Sequence, residues 1–177
     1  PQIFKASFAR ENLSFSIRKM ERKEEKLIEI LNKVPGAALV YVRNRKRAQT
    51  ISDLLLRNRI SADYYHAGLK HDLREKKQEA WQKGHTRVIV ATNAFGMGIN
   101  KENVRVVVHI DVPDNLEAYY QEAGRAGRDG KKAYAVLIYH AGDKEQLNAY
   151  FESSHPSLDF MKKVYQALAN YYKIAVG

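Results

Sequence analysis

Short runs of apolar residues alternate with amphipathic segments along most of this chain, and this alternation restricts the folds that it can adopt. A continuous apolar run predicts a strand buried on both faces, because a strand with one solvated face alternates apolar and polar residues. Such strands separated by helices predict an α/β fold, in which a parallel sheet carries helices on both faces. The predicted core strands are residues 37–42, 60–65, 87–91, 104–111 and 133–139.

Residues that favour helix ends support the helices predicted between these strands. Asp72 and Glu75 have the spacing of a capping box, in which two side chains satisfy backbone N–H groups at the helix start. Asp114 and Glu117 have the same spacing before a later helix, and Gly84 lies where a C-terminal cap is expected. The predicted helices are residues 22–33, a segment that carries Ala48, Ile51 and Leu55 inward, residues 73–83 and residues 114–123.

The two ends of the chain depart from this alternation. Residues 1–20 contain two short alternating segments, which predict strands at the edge of the domain. The main domain is predicted over residues 21–152. Apolar residues at helical spacing predict a helical extension over residues 153–177, which folds back on the sheet or begins a following module. The first residue is Pro1 rather than Met, so we expect an excised piece of a longer protein.

Composition narrows the class of partner. The chain has a net charge of +10 and a pI near 9.7. This balance favours polyanions, and nucleic acid in particular, over a membrane or an acidic protein. The absence of cysteine excludes disulfides and thiolate zinc sites. No apolar run is long enough to cross a bilayer, so no membrane partner is expected.

The segment QEAGRAGRDG, residues 121–130, places two arginines among closely spaced glycines. Gln121, Arg125 and Arg128 fall on one helix face if the helix continues through them. A guanidinium is permanently charged and offers a rigid fork of donors that suits phosphate oxygens. The segment is therefore a candidate for stabilising charge on a nucleotide. The alternative is a helix end with glycine caps and solvated arginines.

Two parts of a complete nucleotide site are missing from the sequence. It contains no GxxxxGK[ST] phosphate loop, and no Asp-Glu dipeptide that would begin a magnesium-holding box. Arginines without a phosphate cradle or an obvious metal ligand indicate half of a two-part site. The other half is then expected on a different domain.

Polar clusters follow three predicted strands, and the arginine-glycine segment follows a later helix. In an open parallel sheet, functional residues collect at the carboxyl ends of the strands. Thr92 and Asn93 have short donors, and Gly96 and Gly98 allow backbone N–H groups to approach a phosphate closely. Taken singly, each residue fits ordinary turn chemistry or core packing, but together they predict one groove that follows a phosphate backbone. The clusters are residues 43–45, 66–68, 92–100 and 121–128.

Several segments, in order along the chain, resemble motifs of RecQ-family DNA helicases. ATNAFGMGINKENVRVVVHIDVP (91–113) and YYQEAGRAGRDG (119–130) resemble motifs V and VI of that family. ALVYVRNRKRA (38–48) resembles motif IV, YYHAGL (64–69) the segment after it, and SFARENL (7–13) the junction between motor domains. The resemblance is specific among helicases, because DEAD-box proteins have HRxGRxGR where this chain has QEAGRAGRDG.

The resemblance implies the second, C-terminal RecA-like motor domain of an ATP-dependent 3′–5′ DNA helicase, with residues 1–20 at the interdomain junction. It implies that Arg128 is the arginine finger that reaches the γ-phosphate, and that Arg125 assists it or holds the interdomain contact. The loop that begins at Thr92 would grip the DNA backbone and couple that grip to ATP. Asn100 stands where many family members have Asp. The implied nucleotide-binding residues are Gln121, Gly98 and Asn100, and the implied nucleic-acid-binding residues are Arg43, Asn44, His66, Thr92 and Asn93.

The resemblance also implies cofactors and partners. ATP and Mg²⁺ would be bound mainly by the absent first motor domain, and no zinc is expected, because this chain lacks the four-cysteine module usual in the family. The expected partners are single-stranded and unwinding duplex DNA and the first RecA-like domain of the same protein. The isolated piece is expected to be an inactive monomer, and the whole protein to act at the bacterial nucleoid or in a eukaryotic nucleus. Two alternatives stay open: a basic nucleic-acid platform without catalysis, and a Rossmann-type cofactor domain, which the missing GxGxxG disfavours.

Overall fold

A six-stranded sheet spans residues 13–139 in the computed structural model, which describes residues 10–95 and 101–172. Every pair of neighbouring strands is parallel. The strands coincide with the apolar runs of the sequence, so the predicted parallel α/β sheet is confirmed. The strands are β1 (Leu13–Lys19), β2 (Ala37–Tyr41), β3 (Ala62–Tyr65), β4 (Val88–Ala91), β5 (Val104–His109) and β6 (Ala133–Tyr139).

The strands lie in the order β1, β6, β5, β2, β4, β3. β1 is an edge strand, as predicted, and pairs with β6 from Leu13 opposite Ala133 to Lys19 opposite Tyr139. Residues 3–9 of the predicted edge segment lie outside the described residues. β4 returns between β2 and β3, and β5 crosses to the other side of β2. The loops that follow β5, β2, β4 and β3 are therefore neighbours along one edge of the sheet.

Four helices alternate with these strands, at the positions that the sequence predicts. The connection from β4 to β5 is residues 92–103, part of which lies outside the described residues. The helices are α1 (Lys23–Lys33), α2 (Arg45–Arg57), α3 (His71–Gln82) and α4 (Leu116–Ala123).

The sheet is buried on both faces. Val40 packs with Leu27 of α1 and Ile51 of α2 on one face. Its neighbour Leu39 packs in a second core on the other face, together with Trp81 of α3. All five side chains are at most 2% exposed. Alternate residues of one strand thus enter two different cores, and this explains why the strand sequences are apolar without interruption.

The two predicted capping boxes are wrong, because a different residue stands at the N-terminal cap of each helix. α3 is preceded by Lys70, which makes no side-chain cap, and Asp72 lies within its first turn, where the helix dipole favours a carboxylate. α4 is capped by Asn115, whose Oδ1 accepts a hydrogen bond from the Ala118 N–H at 2.8 Å. Asn115, which directly follows Asp114, is therefore the residue that caps α4.

The chain divides into two compact units, Pro1–Ala141 and Gly142–Gly177. The second unit contains α5 (Asp143–Ser154) and α6 (Leu158–Tyr172). The sequence predicts α6 but not α5, which has no buried residue. Among the described residues, no helix combines the length and the apolar character needed to span a membrane.

Arg87 joins the end of α1 to the start of β4. Its Nη2 donates to the carbonyls of Leu31 and of Val34, the latter at 2.8 Å, and its Nε donates to the carbonyl of Gly36 at 3.0 Å. Carbonyls at the end of a helix have no partner within the helix. A single planar guanidinium thus satisfies three acceptors that would otherwise need water.

We expect Arg87→Lys to lower the free energy of unfolding by about 1–3 kcal/mol, because one ammonium group cannot reach three carbonyls at once. Urea denaturation of the purified chain measures the change. The control is Arg57→Lys, an exposed position at the end of α2, where a change within about 0.5 kcal/mol is expected. Equal stabilities of the two variants would contradict the bridging role of Arg87.

Candidate functional site

A groove opens at the carboxyl edge of the sheet, between the loops that follow β2, β4 and β3. Three of the four predicted clusters meet there, because parallel strands end at the same edge. The groove combines positive side chains with small ones, so an anion can approach the backbone closely. The lining residues are Arg43, Asn44, Arg45, Lys46, Ala67, Thr92, Asn93 and Ala94.

Two of the predicted groove residues also hold the local structure. The backbone N–H of Arg43 donates to Asp111 Oδ2 at 2.9 Å, and its Nη2 donates to the carbonyl of Val112 at 2.7 Å. Asn44 caps α2 through its Oδ1, which accepts from the Arg47 N–H at 2.9 Å. Both side chains line the groove, but part of their hydrogen-bonding capacity is used within the fold.

Thr92 and Asn93 present short polar groups at the middle of the groove. Thr92 is buried, and its N–H donates to the carbonyl of Tyr65 at 3.3 Å. Asn93 is exposed. The predicted residues Gly98 and Asn100, which continue this loop, lie outside the described residues.

His66 is not among the residues that line the groove, whereas the next residue, Ala67, lines it. Its ring stacks on Tyr64, with centroids 5.7 Å apart. Partial burial and then the charge of Arg45 lower the pKa of His66 below its ordinary value. His66 is therefore harder to protonate than an ordinary histidine.

Arg45 and Lys46, the first two residues of α2, are exposed cations in the groove. Arg45 belongs to the predicted cluster 43–45 but was not among the named nucleic-acid-binding residues, and Lys46 was omitted altogether. The Arg45 side chain crosses Gly68, where an added Cβ would lie 2.5 Å from Arg45 Nη1. The signal was present in the sequence, because both cations belong to the basic run that directly follows the apolar run of β2.

Asp111 connects the loops around the groove. Besides the Arg43 N–H, it contacts Arg47 Nε at 3.0 Å and Lys23 Nζ at 3.8 Å. Lys23 is buried and also donates to the carbonyl of Ile110 at 2.7 Å. One carboxylate thereby joins α1, α2 and the loops after β2 and β5. Its position at the end of a predicted strand was a signal for this role.

The two arginines of the QEAGRAGRDG segment lie on a turn rather than on a helix. α4 ends at Ala123, and residues 124–130 form what we call the arginine turn. Gln121 is therefore on the helix, while Arg125 and Arg128 lie beyond its end, so the helix does not continue far enough to give the three residues a common face. Gly127 has φ +62°, and an added Cβ would lie 2.8 Å from the Lys131 carbonyl oxygen, so the backbone there requires glycine.

The arginine turn is held at the amino ends of the strands. Gly127 N–H donates to the carbonyl of Val104, the first residue of β5, at 2.8 Å. Arg10 donates to the carbonyls of Gly124, at 2.9 Å, and of Gly127. Asn12 Nδ2 also donates to the Gly127 carbonyl, at 2.7 Å. The prediction that all four clusters share one groove is therefore wrong for this cluster, because a helix that follows a parallel strand runs back to the opposite edge.

The charges of the arginine turn nevertheless act at the carboxyl end of β2. Arg128 is exposed and Arg125 is half-buried. Burial raises the pKa of the Tyr41 phenol above its ordinary value, and the positive charges of Arg125 and then Arg128 oppose this shift. Tyr41 is the last residue of β2, so the arginines and the groove loops approach each other through the interior of the domain.

Phosphate is the chemistry that suits this arrangement. Arg125 and Arg128 offer only donors, in a geometry that matches phosphate oxygens. Within residues 10–95 and 101–172, no group of His, Asp or Glu side chains could hold a metal ion.

Comparison with known proteins places these features in a family. Residues 22–130 match the family described as the helicase conserved C-terminal domain. The chain is 45% identical over 137 residues to the ATP-dependent DNA helicase RecQ of Bacillus subtilis, which covers 77% of this chain and 23% of that protein. It is 42% identical over 149 residues to the protein of the same name from Pasteurella multocida, covering 84% of this chain and 24% of the relative. The chain thus spans about a quarter of the length of these relatives.

Solved structures show the same fold. A DEAD box protein from Methanococcus jannaschii superposes with a TM-score of 0.67 at 25% identity, covering 81% of this chain and 40% of that chain. The E. coli DEAD-box protein SrmB superposes with a TM-score of 0.67 at 24% identity, covering 85% and 89%. The predicted RecA-like architecture is confirmed.

We expect Asp111→Asn to lower the free energy of unfolding by about 1.5–3 kcal/mol, because hydrogen bonds to a charged group contribute this much. The control is Asp114→Asn, whose carboxylate is 51% exposed and 3.8 Å from Arg43 Nη2. An exposed pair of this kind contributes less than about 1 kcal/mol. Chemical denaturation compares the two variants, and a smaller effect at Asp111 than at Asp114 would show that the carboxylate does not join the loops.

Proposed function

The chain belongs to the helicase conserved C-terminal domain family, as its RecQ-type member, and on that premise we propose that it is the C-terminal motor half of an ATP-dependent 3′–5′ DNA helicase. One combination of features carries the proposal. The domain has an arginine turn that suits phosphate and a basic groove, but its sequence contains no phosphate loop. Such a domain needs the first RecA-like domain to complete the nucleotide site. The isolated chain is accordingly inactive in ATP hydrolysis.

In this proposal Arg128 is the arginine finger. Its guanidinium is exposed, so it can reach the terminal phosphate of ATP bound by the other motor domain. Arg125 is half-buried beside the Tyr41 phenol and supports the turn or the contact between the domains. Gln121 is exposed on α4 and contacts the nucleotide edge, and Gly98 and Asn100 keep their proposed nucleotide role.

ATP, when bound, supplies the phosphoryl group whose hydrolysis drives movement. The residues that hold its Mg²⁺ belong, in this proposal, to the first motor domain. The contribution of this chain is positive charge placed where negative charge develops on the phosphate. Zinc has no proposed role here, because the chain has no cysteine.

The groove at the carboxyl edge is proposed to hold the backbone of single-stranded DNA as the duplex unwinds. Arg45 and Lys46 supply exposed charge, while Thr92 and Asn93 supply short hydrogen-bonding groups. Contacts of this kind fix the register of a strand without reading its bases. The further proposed partner is the first RecA-like domain of the same protein, and the chain itself is a monomer that acts at the nucleoid or in the nucleus.

Arg128→Ala in the protein that carries both motor domains is expected to reduce ATP hydrolysis by about 10³-fold or more, since a finger acts on charge in the transition state. Binding of ATP should be largely retained, and Arg128→Lys should not restore turnover because lysine lacks the planar fork. Steady-state hydrolysis and nucleotide titration measure the two quantities. The control is Lys131→Ala, an exposed cation just beyond the turn.

Near-normal turnover of Arg128→Ala would remove the finger assignment. A severe loss in Arg125→Ala alone would exchange the roles of the two arginines. Retained DNA binding without hydrolysis in the unaltered two-domain protein would favour a non-catalytic basic platform.

Binding of single-stranded DNA by the chain should weaken as salt increases and should differ little between sequences. We expect Arg45→Gln to weaken binding to all strands alike and to reduce the log–log salt slope by about 0.7, the contribution of one phosphate contact. The control is Arg57→Gln, at the other end of the same 13-residue helix, about 18 Å away. Titration of strands of different composition at several salt concentrations tests this, and a strong sequence preference or equal slopes would refute the groove.

A further inference from the structure

Tyr41 lies inside the domain between the groove loops and the arginine turn. It is 3% exposed, and its hydroxyl donates to the backbone carbonyl of Phe95 at 2.9 Å. Phe95 is itself fixed, because its ring packs edge-on against Tyr65 and Trp81 with centroids 4.6 and 5.5 Å away. The Tyr41 hydroxyl therefore holds Phe95, three residues after Thr92.

The ring of Tyr41 makes the next contact. It stacks on His109, the last residue of β5, with centroids 5.2 Å apart and planes inclined by 16°. His109 Nε2 lies 2.7 Å from Glu122 Oε2. This distance is that of a direct hydrogen bond between the two side chains. His109 is 1% exposed and Glu122 is 9% exposed, so this polar pair is shielded from water.

Glu122 carries the contacts to the arginine turn. It lies in the last turn of α4, and its backbone carbonyl accepts from the Arg125 N–H at 3.2 Å. The charge of Arg125 also acts on the Tyr41 phenol, where the contacts began. A continuous set of contacts thus connects Phe95, which follows the groove residue Ala94, with the half-buried Arg125 of the turn.

We propose that Tyr41, His109 and Glu122 are positioning residues that transmit the occupancy of the groove to the arginine turn. The inference rests on the proposed function. It adds a route inside the domain by which DNA in the groove affects ATP hydrolysis at the arginine turn. Each of these hydrogen bonds is either formed or broken. The first joins the Tyr41 hydroxyl to the Phe95 carbonyl, and the second joins the His109 imidazole to the Glu122 carboxylate. Close-packed interiors respond to such changes by switching between arrangements rather than by bending gradually. Movement of residues 92–95 on DNA would therefore reach the turn through this set.

The test uses the protein that carries both motor domains and measures ATP hydrolysis with and without a single-stranded oligonucleotide. Tyr41→Phe removes one hydroxyl and keeps the ring on His109. We expect DNA-stimulated kcat to fall about three- to thirtyfold, the range seen for residues along coupled networks. Hydrolysis without DNA, KM for ATP and DNA affinity should change little. This split separates a positioning role from a general loss of stability.

The matched control is Tyr119→Phe. Tyr119 also packs against His109, with centroids 5.0 Å apart, and is 8% exposed. Its hydroxyl has no hydrogen-bond partner in the part of the chain that the structure describes. The same substitution at this neighbouring ring should leave DNA stimulation unchanged.

A second pair of variants keeps the test decisive if Tyr41→Phe lowers the melting temperature. Glu122→Ala breaks the contact with His109, whereas Glu122→Gln retains an oxygen that accepts from Nε2. We expect Glu122→Ala to lose DNA stimulation and Glu122→Gln to regain most of it. In the double variant Tyr41→Phe/Glu122→Ala the loss should be smaller than the product of the single losses, since both act on one connection.

Equal DNA stimulation in Tyr41→Phe and Tyr119→Phe, or independent effects of Tyr41→Phe and Glu122→Ala, would overturn the inference. Failure of the proposed function is a separate result. In that case the unaltered two-domain protein would show no DNA-stimulated hydrolysis at all.

Discussion

Parallel pairing of the six strands is the constraint on which the rest of this structure depends. Parallel strands need crossover connections, so each strand starts at one edge of the sheet and each connecting helix runs back to that edge. The loops after β2, β3 and β4 therefore meet at the carboxyl edge and form the groove. By the same rule, α4 carries the arginine turn to the amino edge, where Gly127 bonds to Val104. The separation of the groove from the arginine turn is a consequence of topology.

Charge inside this basic domain is organised by a few carboxylates. Asp111 holds the loop of Arg43 and the helices that carry Lys23 and Arg47. On the other side of the sheet, the Arg105 guanidinium lowers the pKa of Asp129 by a direct hydrogen bond and ties the end of the arginine turn to β5. The described residues that line the groove include Arg45 and Lys46, at the start of α2, and no carboxylate. The groove lining therefore carries net positive charge.

The parts of the fold that follow from local patterns were predictable from the sequence. Apolar runs gave the strands, and Gly84, with φ +84°, follows α3 as expected. The caps were misplaced by a residue or two, since Asn115 competes with Asp114 for the same N–H groups. α5 was not predicted, and none of its residues is buried. The contacts of Arg10 with the arginine turn join residues more than 100 positions apart, and no local rule indicates them. The roles proposed for individual site residues, including Arg128 and Thr92, stay predictions.

The position of β1 has a consequence for how the molecule assembles. β1 is early in the chain, yet its partner β6 is the final strand, so Leu13 meets Ala133 only after the intervening chain has been made. Closing so long a loop is slow and costs entropy until the contacts form. Arg10 and Asn12, which lead into β1, secure the arginine turn in the same step. In a newly synthesised chain, the strands whose loops form the groove are thus complete before β1 pairs with β6 and the arginine turn is secured.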